Sequence, residues 1–211
     1  MFLSQPKQLV SGGIPGWVTT LSCPLRTNAT EFDRSWRQYW DEMIDHIVLN
    51  QIGLPNGTII GVQVENEYLT DAHSSQGQPA GKDQYMQDLA DALADKGIVV
   101  PLTVNDAGMD RNYATGRGSV DIYGFDSYPQ SFDCSEPTRW KPVVETYRKY
   151  QDSLHLESPL FIPEFQAGAF DSWGATGYEN CRKLTGTEFE SVFYLNNLAA
   201  NIKMINYYVR N

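Results

Sequence analysis

Two carboxylates close two apolar stretches of this chain. The segment "IIGVQVENEY" (59–68) ends in Glu65, Asn66, Glu67 and Tyr68, and "PLFIPEF" (159–165) carries Glu164. A carboxyl group kept protonated by its surroundings can give a proton to a leaving oxygen. A second, ionised one can attack the carbon that this oxygen leaves. Held about 5–5.5 Å apart, such a pair performs the double displacement of sugar-cleaving enzymes that retain anomeric configuration. One glutamate at a strand end is ordinarily a solvated carboxylate and says little; a second at the end of a later strand makes the pair worth following. Aromatic residues near the two tips (Trp17, Tyr68, Tyr128, Phe165, Trp173 and Tyr208) can stack on sugar faces, although most aromatics of a folded chain belong to its core.

These groups must be positioned by regular elements, and the pattern alternates helix and strand. From Thr30, "TEFDRSWRQYWDEMIDHIV" repeats Phe32, Trp36, Tyr39, Trp40, Met43, Ile44 and Ile47 at helical spacing, with Thr30 as N-cap and Asp33 in the first turn. A strand follows over 59–64, then a helix over 83–96 with Tyr85, Leu89, Ala92 and Leu93 on one face and Gly97 closing it. "IVVPLTV" (98–104) is a strand with Pro101 as a blemish, because proline cannot donate to a ladder. A strand over 120–125, a helix over 138–154, a strand over 159–165, a helix over 186–201 and a strand over 203–209 complete the pass. In the last helix, Phe189, Val192, Phe193 and Leu198 read as inward. Five strands are clear, with the tail of another before "SGGIPGW".

Repeated βα units predict a parallel sheet with right-handed crossovers. No glycine-rich dinucleotide turn follows any strand. The polar clusters "ENEY", "ND", "DSYP", "PEF" and "YY" fall instead at C-terminal strand ends, where barrel enzymes gather their reactive groups. The expected class is therefore α/β, a partial (β/α)8 barrel.

Composition narrows the partners. The chain has 211 residues, and 26 acidic against 16 basic ones give a net charge of −10, with no basic run that would suit nucleic acid. No stretch approaches the roughly 20 apolar residues of a membrane span. Cys23, Cys134 and Cys181 fit no zinc spacing, and His46, His73 and His155 are scattered, so no metal is expected. Asn28 and Asn56 lie in N-glycosylation sequons, and an odd cysteine count in a secreted chain suggests one pair and one leftover. The first ten residues do not read as a signal peptide.

The segments "GGIPGWVTT", "IIGVQVENEY", "VDIYGFDSYPQSFDC" and "IPEFQAGAFDSWG", in that order, resemble the catalytic barrel of glycoside hydrolase family 35, and most of all its secreted fungal β-galactosidases. The resemblance runs from about Ser11 to Tyr208. It implies Glu67 as general acid/base, Glu164 as nucleophile, Asn66 as a donor to the sugar 2-hydroxyl, and Tyr128 and Tyr208 as residues lining the galactose site. Glu65 is the less favoured carboxylate of its stretch. The resemblance also implies a Cys134–Cys181 disulfide, an extracellular location, a β-galactoside substrate and no cofactor. Cys23 then reads as a small buried thiol.

The pattern departs from the family at both ends. "KQLV" stands where the family has a sugar-binding "NAE" segment, "VRN" follows "NYY" in place of a glycine-rich continuation, and the family's C-terminal β-domains have no counterpart. Residues 1–211 accordingly read as one truncated catalytic barrel domain, covering roughly strands three to eight without the first two. Two alternatives stand beside the hydrolase reading: a catalytically inactive remnant with at most weak sugar binding, and another retaining glycosidase of the same clan.

Overall fold

A computed structural model describes residues 14–68, 81–154, 157–169, 171 and 173–208. The strand tail expected before "SGGIPGW" and the end of the last strand at Val209 lie outside the described residues. The chain divides into two compact units. One comprises residues up to Asp106 together with Arg111–Tyr123; the other comprises Ala107–Asp110 and everything from Gly124 onward.

The first unit contains α1 (Thr30–Val48), β1 (Val62–Asn66), α2 (Lys82–Asp95) and β2 (Leu102–Asp106), and it ends within β3 (Ile122–Phe125). In α1 the stripe Phe32, Trp36, Trp40 and Ile44 is buried, while Tyr39 is exposed at the margin. Thr30 does not cap this helix. The N-cap is Ala29, which offers no side-chain cap; its carbonyl accepts the Asp33 N–H at 2.8 Å, and its own N–H donates to the Thr27 hydroxyl at 3.3 Å. In α2, Tyr85, Met86, Leu89 and Leu93 face inward, and Tyr85 meets Phe32 of α1 with ring centroids 5.9 Å apart. Gly118 (φ +75°) packs against α2 so closely that a Cβ would sit 2.7 Å from that of Met86, a place only glycine can occupy.

β1 and β2 pair in parallel from Val62↔Leu102 onward. Both strands start later than the apolar runs suggest. Ile60 is exposed, and Ile59 makes only an isolated bridge to Gln51. Pro101 stands just outside β2, where its missing N–H costs nothing, and its carbonyl accepts the Val62 N–H at 3.0 Å.

The second unit takes the end of β3, then α3 (Tyr147–Leu154), β4 (Phe161–Gln166), α4 (Tyr178–Leu184), α5 (Thr187–Phe189), a π turn (Glu190–Tyr194), α6 (Leu195–Ala199) and β5 (Met204–Tyr208). β4 pairs in parallel with β3 and with β5. The helix expected over 138–154 is present only as α3. Pro142 disfavours helical backbone at Lys141, and the N–H and carbonyl of Lys141 are both spent on the Gln130 side chain, at 2.8 and 3.1 Å. The helix expected over 186–201 is interrupted by the π turn, which keeps residues four apart in line. Phe189, Phe193 and Asn197 are therefore buried, whereas Val192 and Leu198, expected inward, are exposed.

Every strand has its sequence neighbours as its sheet neighbours, in the order β1-β2-β3-β4-β5. A doubly wound sheet reverses direction at a switch point; this order has no reversal, and the fold is that of a partial (β/α)8 barrel. Among the described residues no helix is long and apolar enough to cross a membrane.

The Cys134–Cys181 disulfide is present, with Cα atoms 4.9 Å apart, buried beside Ala169, Leu184 and Trp140. Cys23 is free and half-buried rather than buried. The bridge joins residues 47 apart, and in the loop-entropy account it restrains the unfolded chain by about 4 kcal/mol. Replacing both cysteines by alanine should lower the unfolding free energy by about 2–4 kcal/mol, read as a lower urea midpoint at an unchanged slope. An unchanged midpoint would refute this.

Buried tyrosines set the alkaline limit of the fold. Burial is the largest cause raising the hydroxyl pKa of Tyr68, Tyr85 and Tyr113, with the Glu65 carboxylate adding to it. Burial pushes Tyr147 up to about 12, against a hydrogen bond with Ser127 that lowers it. Free tyrosine ionises near about 10. Above that pH the unfolded chain gains by ionising while the folded chain does not. Stability should therefore hold below about pH 10 and fall as pH rises through about 12. Urea midpoints measured across pH 8–12 test this; a flat profile above about pH 10 would contradict it.

Candidate active site

In the first unit, β1 ends in a bulge: Gln63 pairs with Thr103, but Asn66 pairs with Asn105, so three steps on β1 answer two on β2. Bulges of this kind re-aim side chains at strand ends. Glu67 follows at φ +46°, a left-handed conformation rare outside glycine. Its N–H donates to the Asn105 backbone carbonyl at 3.2 Å and to Asn105 Oδ1 at 3.0 Å. The Asn66 amide oxygen accepts from Gln63 Nε2 at 3.1 Å and from Asn105 Nδ2 at 2.9 Å. Both of its lone pairs are thus used inside the protein.

Glu65 is engaged in a buried ion pair. Its side chain is 1% exposed and receives both fork nitrogens of Arg26, Nε and a terminal NH2, each at 2.9 Å, as well as the Tyr85 hydroxyl at 3.0 Å and the Asn66 N–H at 2.7 Å. Burial lowers the Arg26 pKa, but the Glu65 charge and hydrogen bonds outweigh it and hold the guanidinium above its ordinary value. Asp106, from the "ND" cluster, is likewise occupied, by the Asn112 N–H and amide at 3.0 and 2.9 Å and the Tyr123 hydroxyl at 2.7 Å.

In the second unit, Glu164 stands near the end of β4, again in a bulge: Ile162 pairs with Ile205 and Phe165 with Tyr207. It is buried, and its Oε2 accepts the Tyr128 hydroxyl at 2.5 Å. Asp126, also buried, brings a carboxylate oxygen within 4.8 Å of one of Glu164. Tyr208 meets Tyr128 edge to face at 6.4 Å. The loop after β3 is fixed by Gln166, whose amide accepts the Gln130 N–H at 2.8 Å and donates to the Ser131 carbonyl at 2.7 Å. Gly124 allows β3 and β4 to meet: a Cβ there would lie 2.5 Å from the Pro163 ring.

Within each unit the expected residues therefore meet as neighbours: Asn66 with Glu67 at the tip of β1, and Glu164 with Tyr128 and Tyr208 at the tips of β4, β3 and β5. Tyr68 and Phe165, considered as sugar platforms, are core; Trp17 and Trp173 are exposed. Asn28 and Asn56 are both exposed, as a glycan would require. Asp126, Asn105, Gln63 and Arg26 were not singled out from the sequence. Asp126 and Asn105 sat inside polar strand-end clusters that pointed to them, whereas nothing local pointed to Arg26.

Parallel βα units in unreversed order, with carboxylates at the C-terminal ends of the strands, define the class of (β/α)8-barrel proteins. The sequence profile described as glycosyl hydrolases family 35 matches residues 8–210, and the chain belongs to that family. It is 38% identical over 207 residues to a protein named beta-galactosidase from Aspergillus niger, covering 94% of this chain and 20% of that one. It is 37% identical to a beta-galactosidase A from a Penicillium species, covering 96% of this chain and again 20% of the relative. The chain thus spans about a fifth of the length of these curated relatives. Among solved structures it is similar in fold to an FMN-binding beta-glucuronidase from Facaelibacterium prausnitzii L2-6 (TM-score 0.55, 13% identity, 86% of this chain and 26% of that one). It also resembles a GH113 beta-1,4-mannanase (TM-score 0.52, 10% identity, 89% and 55%).

Proposed function

We propose that this chain carries the two catalytic glutamates of a retaining β-galactosidase that removes terminal β-linked galactose. The observation that carries the reading is the hydrogen bond from Tyr128 to the buried carboxylate of Glu164, with Asp126 close by. Burying a carboxylate beside another is costly, and a fold has no structural need to do so at a strand tip. Membership of family 35, and relatives that bear the name beta-galactosidase, point the same way.

In this mechanism Glu164 attacks the anomeric carbon while Glu67 gives its proton to the departing oxygen. The Tyr128 hydroxyl orients the nucleophile and stabilises its anion until the bond forms. Water then attacks the glycosyl-enzyme, Glu67 takes a proton from it, and both carboxyl groups return to their starting states. The NH2 of Asn66 donates to the sugar 2-hydroxyl, and Tyr208 lines the galactose site beside Tyr128. No cofactor enters these steps. A disulfide and two exposed sequons suit an oxidising, extracellular location.

Purified protein should hydrolyse 4-nitrophenyl β-galactoside and leave the β-glucoside, β-mannoside and β-glucuronide largely untouched. Preference for one of the other sugars would assign a different retaining glycosidase of the same clan. No hydrolysis of any of them, with at most weak galactose binding, would leave the chain a non-catalytic remnant.

A further inference from the structure

The strained backbone of Glu67 (φ +46°) persists only if its neighbours are held. Both flanks are held by one residue. On the preceding side, the Arg26 guanidinium donates to the Asn66 carbonyl at 2.9 Å, and the Glu65 carboxylate that it grips accepts the Asn66 N–H at 2.7 Å. Both polar backbone groups of Asn66 are thereby fixed by the ion pair. On the following side, the Tyr68 hydroxyl donates to the backbone carbonyl of Arg26 at 2.6 Å, and its ring lies under the guanidinium at 4.9 Å. Arg26 itself has φ +55°, which brings its carbonyl and its side chain to the same tip. The whole assembly lies in the first unit.

We propose that Arg26 is a positioning residue for Glu67: it clamps Asn66 and Tyr68 and so sets the direction in which the acid/base carboxyl points. The inference rests on the reading of Glu67 as acid/base. The ion pair's geometric role follows from its fork. Lysine would keep the charge but could not grip Glu65 with two nitrogens while also reaching the Asn66 carbonyl.

The test uses kcat/KM, which reports the first chemical step, on two substrates. Phenyl β-galactoside needs its leaving oxygen protonated; 2,4-dinitrophenyl β-galactoside does not. Misplacing a reacting group by about 1 Å can cost about a hundredfold. Arg26→Lys should therefore lose about tenfold or more on the phenyl substrate and less than about threefold on the dinitrophenyl one. Tyr68→Phe, which removes only the hydroxyl, should show the same selectivity at smaller size. Amide hydrogen exchange should quicken at Asn66 and Glu67 in both variants, while Val62 to Val64 of β1 stay protected. Equal losses on both substrates, as general destabilisation gives, or no loss, would overturn the proposal. Glu67→Gln serves as the reference. Should it show no leaving-group selectivity, the acid/base reading itself fails, and the exchange rates alone decide the clamp: unchanged exchange at Asn66 and Glu67 overturns it, faster exchange upholds it.

Discussion

Glu164→Ala is expected to abolish turnover of every aryl β-galactoside, whatever its leaving group. The glycosyl-enzyme cannot form without the carboxylate that attacks, and a good leaving group does nothing to replace a nucleophile. The loss should exceed by far the roughly hundredfold that marks the low end for an acid–base group. Added azide should restore partial activity, entering the space the carboxylate vacates. Because it attacks from the nucleophile's side, it inverts the β-aryl galactoside once, and the product should be the α-galactosyl azide. The Tyr128 hydroxyl, deprived of its 2.5 Å partner, becomes a candidate donor to that anion. Recovery of the β-azide, or residual activity within about a hundredfold of the parent, would remove Glu164 from the nucleophile's role.

The second large effect is selective. Glu67→Gln should lose about a hundredfold or more in kcat/KM on phenyl β-galactoside, whose leaving oxygen must be protonated as it departs. On the dinitrophenyl substrate the glycosyl-enzyme should form almost normally, yet turnover should stall because no base remains to activate water. Azide, which needs no base, should speed that turnover. It attacks a glycosyl-enzyme already inverted once, so its product should be the β-galactosyl azide. The anomer of the azide thus reports which glutamate does which job. An α-azide from Glu67→Gln together with a β-azide from Glu164→Ala would reverse the two roles, and a Glu67→Gln variant of normal activity on both substrates would end the two-carboxylate reading.

Much of the architecture was legible because it is locally encoded. Phe32, Trp36, Trp40 and Ile44 announce α1 by spacing alone, and they are the residues buried there. The parts that were not legible turn on competition from residues distant in sequence. The Gln130 side chain captures the Lys141 backbone and shortens the helix expected over 138–154. The Val192 and Leu198 positions fit an ideal helical stripe and are nevertheless exposed, because a π turn keeps Phe189, Phe193 and Asn197 in line instead.

The same division runs through the site. That Glu67 and Glu164 close apolar strands could be read from composition and order, since hydrophobic periodicity is a property of neighbouring residues. Which carboxylate of "ENEY" is committed to structure could not. Strict alternation places Glu65 and Glu67 on one face of a strand, and they are told apart only by the bulge in β1, by the left-handed turn at Glu67 and by Arg26, 39 residues before Glu65. Likewise nothing in "DSYP" says that Asp126 comes within 4.8 Å of Glu164 while Tyr128 reaches its oxygen. Sequence by itself determined the elements and the residue types at their ends. The tertiary structure alone decided which of those residues are buried in ion pairs, because a charge's partner is set by packing across strands and loops, and no periodicity along the chain records it.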